Sequence, residues 1–198
     1  MLSDILKGKK LVLASKSPRR QQLLRELGVE FEVRTNGDDE ELFPDNLSMT
    51  EIPIYLARYK ALPLIGKLKA NEILITSDTI VWCNGHVLGK PNDENDAYKI
   101  LSLLSGNKHT VVTGVCLSTQ SKAKTFFATT DVYFKNLSDE EILYYIKKYK
   151  PFDKAGAYGI QEWIGFIGVE RIDGSYFNVM GLPVQQLYTE LQDFVQDT

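Results

Sequence analysis

The sequence predicts an α/β fold built on a mixed, twisted sheet with flanking helices. Two kinds of signal carry this: short apolar runs leading into capped amphipathic helices, as parallel strands with crossovers require, and longer strand-like runs separated by tight turn signals, as hairpins require. At 198 residues, with 43% apolar and 11% aromatic side chains, the chain is long enough to bury a core and too short for two large independent domains, so one domain over 1–198, with two lobes, is expected.

Leu11-Val12-Leu13-Ala14 reads as a buried strand. Ser17 then supplies a helix cap with Pro18 at the first helical position, and Leu23, Leu24 and Leu27 line one face of a helix that stops at Gly28. Phe31 to Thr35 is a second strand, and Gly37-Asp38-Asp39-Glu40-Glu41 after it is charged densely enough to predict an exposed loop. Ile52, Tyr55, Leu56 and Tyr59 recur at helical spacing, which predicts a core-facing stripe on a helix limited by Pro63. Ile73 to Cys83 is an apolar, β-branched run typical of a central strand, interrupted by Ser77-Asp78-Thr79.

After the Gly89-Lys90-Pro91 turn, Asn92 or Asp93 can cap a helix that buries Ala97, Ile100, Leu101 and Leu104. His109 to Thr119 and Ala123 to Lys135 read as two strands of an edge hairpin joined through Gln120-Ser121-Lys122. Ser138 and Glu141 form a capping box for a helix reaching about Tyr149. Phe166 to Ile172 and Ser175 to Val179 flank Asp173-Gly174, which predicts a second hairpin, and Val184 to Val195 is a terminal amphipathic helix.

Charge narrows the function classes. Lys+Arg numbers 23 against Asp+Glu 26, a net charge of -3, so no cationic surplus exists to bind along a phosphate backbone and nucleic acid is not the expected partner. Nothing approaches the roughly 18 continuous apolar residues of a membrane span, and Met1 to Lys10 carries no signal-peptide apolar block, so the expected address is the cytoplasm. Cys83 and Cys116 lie inside apolar runs without zinc or redox spacing and read as reduced core thiols. Gly106-Asn107-Lys108-His109-Thr110 misses the spacing of a phosphate-binding P-loop. For His86 and His109, a turn and a strand start are sufficient explanations.

Asp78 is the leading catalytic candidate, because a carboxylate interrupting a buried strand is costly unless it is paired. A strand-end aspartate bonded to a neighbouring turn is the structural alternative. Lys90, on the turn after Gly85 and Gly89, can return a cation toward the same strand end, and carboxylate plus lysine is the minimum set for a metal-bound phosphate. Arg19 and Arg20 occupy a first helical turn, where the dipole disfavours cations unless an anion sits there; pairing with Glu26 or Glu30 is the alternative for either singly. Glu40 is a candidate magnesium ligand or simply a solvated charge. Asp153 to Gln161 places two glycines, Lys154 and the Gln161 amide in one compact loop that permits close backbone approach to a ligand.

Taken together, Leu13-Ala14-Ser15-Lys16-Ser17-Pro18-Arg19-Arg20, Ser77-Asp78-Thr79-Ile80-Val81, Gly89-Lys90-Pro91, Asp153-Lys154-Ala155-Gly156-Ala157-Tyr158-Gly159-Ile160-Gln161, Gly174-Ser175-Tyr176 and Val179-Met180-Gly181-Leu182-Pro183 resemble the Maf family of nucleotide pyrophosphatases, in the family's order and over nearly the whole chain. The resemblance implies two lobes around a cleft, similar to inosine-triphosphate pyrophosphatases, and attack of water on the α-phosphorus of a nucleoside triphosphate with pyrophosphate leaving. It implies Asp78 as general base, Glu40 and Asp78 as ligands of Mg2+ or Mn2+, Lys60 and Lys90 on the triphosphate, Arg20 at the helix N-terminus, and Ser15 and Lys154 in the substrate site. Relatives of this kind are commonly homodimers.

Base choice in the family follows three positions, here Arg19, Thr79 and Gln161, and the trio resembles the branch acting on dTTP and UTP. A glutamine amide both donates and accepts, as a uracil or thymine edge requires. The chain departs from many relatives at Glu162-Trp163-Ile164, where small glycine-rich residues are usual, and a bulky segment there can reshape the base pocket. Two other readings stay open: a house-cleaning pyrophosphatase preferring modified pyrimidine nucleotides, and a nucleotide-binding regulator of cell division that does not turn its ligand over.

Overall fold

A computed structural model describes residues 2–37 and 42–196, which build a mixed sheet of seven strands with flanking helices. The elements in chain order are α1 (Leu2–Ile5), β1 (Lys10–Leu13), α2 (Pro18–Glu26), β2 (Phe31–Val33), α3 (Glu51–Ile65), β3 (Glu72–Cys83), β4 (His86–Leu88), α4 (Glu94–Leu104), β5 (Lys108–Ser118), β6 (Ala123–Phe134), α5 (Asp139–Tyr149), α6 (Trp163–Gly168), β7 (Val169–Gly174), α7 (Tyr176–Val179) and α8 (Val184–Gln196). The sheet order is β2-β1-β3-β5-β6-β7, with β4 pairing β3. β1 runs parallel to β2 and β3, while β4 on β3 and β7 on β6 are antiparallel, so the mixed character expected from the sequence holds.

The chain divides into two compact units, Met1–Asp78, Thr113–Ala128 and Gly181–Thr198 in the first and Thr79–Val112 and Thr129–Met180 in the second. β3, β5 and β6 each pass from one unit into the other.

In the first unit Val12, Ala57, Ala61, Leu64, Leu68, Leu74 and Cys116 form a buried cluster between β1, α3, β3 and β5. α3 sits so close to β5 that a Cβ on Gly114 would collide with the backbone of Pro53 and Ile54. The Thr76 hydroxyl donates to the Ala57 carbonyl (2.7 Å), tying strand to helix. The stripe expected on α3 needs correction: Ile52 and Leu56 are buried, but Tyr55 and Tyr59 are 38% and 44% exposed and stack on one another with centroids 6.4 Å apart. Small Ala57 and Ala61 take the core-facing positions instead, since the close approach to the sheet leaves no room for rings. The helix also runs through Pro63 to Ile65, because a proline so near the C-terminus forfeits only one bond, to the carbonyl of exposed Tyr59.

In the second unit α4 is capped by Asp93 and α5 carries the expected capping box, Ser138 with Glu141. Tyr98 on α4 donates to Asp139 at the start of α5 (2.7 Å). β5 and β6 are sheet neighbours joined by a turn in which Thr119 N–H donates to the Lys122 carbonyl (2.8 Å), but this pair is not at the edge, because β7 adds outside β6. The hairpin expected at Asp173-Gly174 does not form. Gly174 closes β7 with φ 126°, and the Ser175 hydroxyl then accepts from Asn178 N–H to cap α7, so local capping overrides the turn signal. Residues 163–168, expected to begin a strand at Phe166, are helical.

Candidate active site

In the first unit the turn between β1 and α2 is built by serines. Ser15 is buried and its hydroxyl accepts from Ser17 N–H (3.2 Å), while Ser17 caps α2 by accepting from Arg20 N–H (3.4 Å). The Arg20 Nε donates to the Gly181 carbonyl (2.8 Å) and its Nη1 to the Ser77 carbonyl (3.0 Å). The guanidinium is thus fixed against the backbone of β3 next to Asp78. Arg19 is half-buried on the same turn of α2.

Asp78 is 3% exposed and forms a salt bridge with Lys60 of α3. A buried carboxylate without a cation would be strongly disfavoured, so this pair explains how β3 tolerates the interruption. Ser15, Arg20, Lys60 and Asp78 therefore share one network or one turn of the first unit, three of them cationic or anionic groups arranged around the same stretch of β3.

The second unit holds Thr79, Lys90, Lys154 and Gln161. Thr79 directly follows Asp78 on β3. Lys90 is exposed on the turn after β4, and that turn meets the Asp153–Gln161 loop where Gly156 N–H donates to the Gly89 carbonyl (3.1 Å). Gly156 is required there: its φ is 72°, and a Cβ would come within 2.8 Å of the Val81 side chain. Ala157 beside it also has positive φ, 57°, an unfavourable conformation for alanine that its fully buried surroundings hold in place.

Lys154 is buried, with its ammonium 2.7 Å from Asp153 and 3.2 Å from Glu162. Gln161 is half-buried in a turn closed by Glu162 N–H on the Gly159 carbonyl (2.9 Å). Glu40, the remaining proposed metal ligand, lies outside the described residues.

Sequence reasoning missed two features of this loop. Tyr145, fully buried on α5, accepts from Gly159 N–H (3.0 Å) and donates to Glu162. His109, expected at a strand start with no special role, is 1% exposed, contacts the Tyr158 hydroxyl through Nε2 (2.8 Å) and packs edge-on against Phe134 and Tyr158. Burial pushes its pKa down to about 4. Neither contact has a sequence period that could reveal it, because each joins residues far apart along the chain.

Cys83 and Cys116 are buried, free and raised in pKa by burial, so both are inert packing residues as expected. Among the described residues no three His, Cys, Asp or Glu side chains converge as a metal-binding group, and no helix is long and apolar enough to cross a membrane.

Residues 10–194 match the family model described as Maf-like protein. The chain is 57% identical to a dTTP/UTP pyrophosphatase of Phocaeicola vulgatus, covering 97% of this chain and 99% of that one, and 55% identical to a dTTP/UTP pyrophosphatase of Bacteroides fragilis, covering 92% and 95%. Among solved structures, the Staphylococcus aureus Ham1 protein is similar in fold, with a TM-score of 0.50 at 18% identity over 96% of this chain and 99% of that one. With the family's motifs distributed across both units and matched from the first strand to the last helix, the chain belongs to the Maf-like protein family.

Proposed function

We propose that this protein hydrolyses nucleoside triphosphates, dTTP and UTP above others, to the nucleoside monophosphate and pyrophosphate. The observation that carries the reading is the buried Asp78 carboxylate paired with Lys60 on a strand whose neighbouring carbonyl anchors Arg20. The activity named for relatives at 57% and 55% identity supports the substrate.

In this mechanism Asp78 takes a proton from a water that attacks the α-phosphorus. The new bond is oxygen to α-phosphorus, the bond broken joins the α-phosphorus to the bridging oxygen, and the electron pair leaves on pyrophosphate. Lys60 and Lys90 bind triphosphate oxygens, and Arg20, held rigid by Gly181 and Ser77, adds fixed positive charge at the N-terminus of α2. Ser15 shapes the turn below that helix end, and Lys154 orders the loop that carries Gln161. Arg19, Thr79 and Gln161 select the base, with the Gln161 amide meeting both donor and acceptor on a uracil or thymine edge.

A hard divalent ion, Mg2+ or Mn2+, fits the donors present: Asp78 offers carboxylate oxygens, and an ion of this kind completes its shell with phosphate oxygens and water. Asp78 and Glu40 are its proposed protein ligands, and when bound it neutralises phosphate charge. The same reading places the protein in the cytoplasm as a homodimer, for which exposed Leu143, Tyr144 and Phe166 offer apolar surface.

The test is to incubate the protein with Mg2+ and each of dTTP, UTP, CTP, dATP and GTP, assaying pyrophosphate separately from orthophosphate. Pyrophosphate from dTTP and UTP is the expected product. Binding without release in either metal would establish a nucleotide sensor, and orthophosphate as first product would place the cut at another phosphorus.

A further inference from the structure

The turn that carries Gln161 is fastened on both sides of that residue to one buried hydroxyl. Tyr145 is fully buried, and its oxygen accepts from Gly159 N–H at 3.0 Å while its proton goes to Glu162 Oε2. Glu162 in turn closes the turn through its own N–H on the Gly159 carbonyl (2.9 Å) and reaches Lys154 with Oε1 at 3.2 Å. There is no slack at Gly159, where a Cβ would come within 2.8 Å of the Glu162 Cδ. Gln161 lies between these anchors, so its backbone position is set by Tyr145 and Glu162 rather than by the amide itself.

We propose that Tyr145 and Glu162 are positioning residues which hold Gln161 and thereby set the preference between pyrimidine bases. The inference rests on the reading of Gln161 as the base-selecting amide. It also gives the Glu162-Trp163-Ile164 segment a purpose: the carboxylate replaces small residues with an anchor that a hydroxyl can hold and a lysine can neutralise. A misplaced amide loses hydrogen bonds to uracil that it makes equally in the ground and transition states, so the loss appears in KM and in selectivity, with kcat retained.

The experiment compares kcat and KM for UTP and CTP in wild type, Tyr145→Phe, Glu162→Ala and Glu162→Gln, with amide hydrogen exchange over residues 156–162. For Tyr145→Phe and Glu162→Ala, KM for UTP should rise and the UTP-over-CTP ratio of kcat/KM should fall, each by about tenfold, the equivalent of one hydrogen bond. kcat should stay within about twofold, and Gly159 and Glu162 amides should exchange faster. Glu162→Gln should keep most of the selectivity, because its amide oxygen still accepts from Tyr145. Unchanged selectivity in folded Tyr145→Phe and Glu162→Ala overturns the proposal, as does a fall in kcat with KM and selectivity intact. If wild type binds UTP over CTP but cleaves neither, the pyrophosphatase reading fails alone, and loss of that binding preference in Tyr145→Phe still supports the proposal. Wild type that neither binds nor cleaves these nucleotides overturns both.

Discussion

Glu72 and Asp78 are buried carboxylates on the same strand, and their partners separate their roles. Glu72 receives both terminal nitrogens of Arg34 (2.9 and 3.0 Å) and the Lys69 N–H, a closed set that holds its pKa down to about 2, chiefly through the Arg34 hydrogen bonds. Such a group stabilises the fold. Its contribution is full above pH 4.5 and is lost as pH falls toward 2. Glu72→Gln should cost about 2–3 kcal/mol in urea unfolding at pH 7 and leave nucleotide turnover intact at moderate temperature. A loss below about 0.5 kcal/mol would show the pair to be idle.

His109 titrates in the next window. Its neutral form is favoured by burial, so with a folded value of about 4 against 6.5 it contributes fully above pH 6.5 and progressively less as pH falls to about 4. The span corresponds to at most about 3 kcal/mol. Unfolding free energies measured at pH 7, 5.5 and 4 should decline in wild type and decline less in His109→Gln; equal slopes would remove His109 from the account. Asp78 was legible from sequence because a carboxylate inside an apolar strand demands an explanation. His109 was not, since a strand's first residues are as often wet as dry, and only its contacts with Phe134 and Tyr158 decide.

Among elements, capping was the most readable feature. Ser17, Asp93 and Ser138 cap α2, α4 and α5 because each side-chain oxygen meets a backbone N–H that the helix itself leaves unpaired. Hydrophobic spacing was less complete. It located α3, but a period cannot say how near the sheet approaches, and that distance puts Ala57 and Ala61 inward and leaves Tyr55 and Tyr59 outward. The approach is testable through Gly114→Ala: the added methyl meets unyielding backbone at Pro53 and Ile54, and melting should report a loss of about 1–3 kcal/mol. Wild-type stability in that variant would mean that α3 is free to shift away. Asp173-Gly174 failed as a hairpin signal because β7 found its partner in β6, and the following serine was committed to a helix cap.

At the scale of the whole molecule, the mixture of parallel-type and hairpin-type strand signals indicated an α/β fold on a mixed sheet, and the sheet is mixed as expected. Two lobes were expected from length and from the family resemblance, but the boundary between the units was not legible, because three strands pass through both and no linker composition marks it. The proposed site residues fall on both sides of it, Asp78 ending one segment and Thr79 opening the next. In the proposed mechanism Ser15, Arg19, Arg20, Lys60 and Asp78 belong to the first unit and Thr79, Lys90, Lys154 and Gln161 to the second. Base preference and turnover should therefore be separable by mutation.

The most direct test is pyrophosphate release from dTTP and UTP with Mg2+ by wild type and Asp78→Asn, each checked for an intact fold by melting. Release by wild type is expected, with a fall of about 10²–10⁴ in kcat for the folded variant, the contribution of a positioned general base. Release at the wild-type rate by folded Asp78→Asn would contradict it.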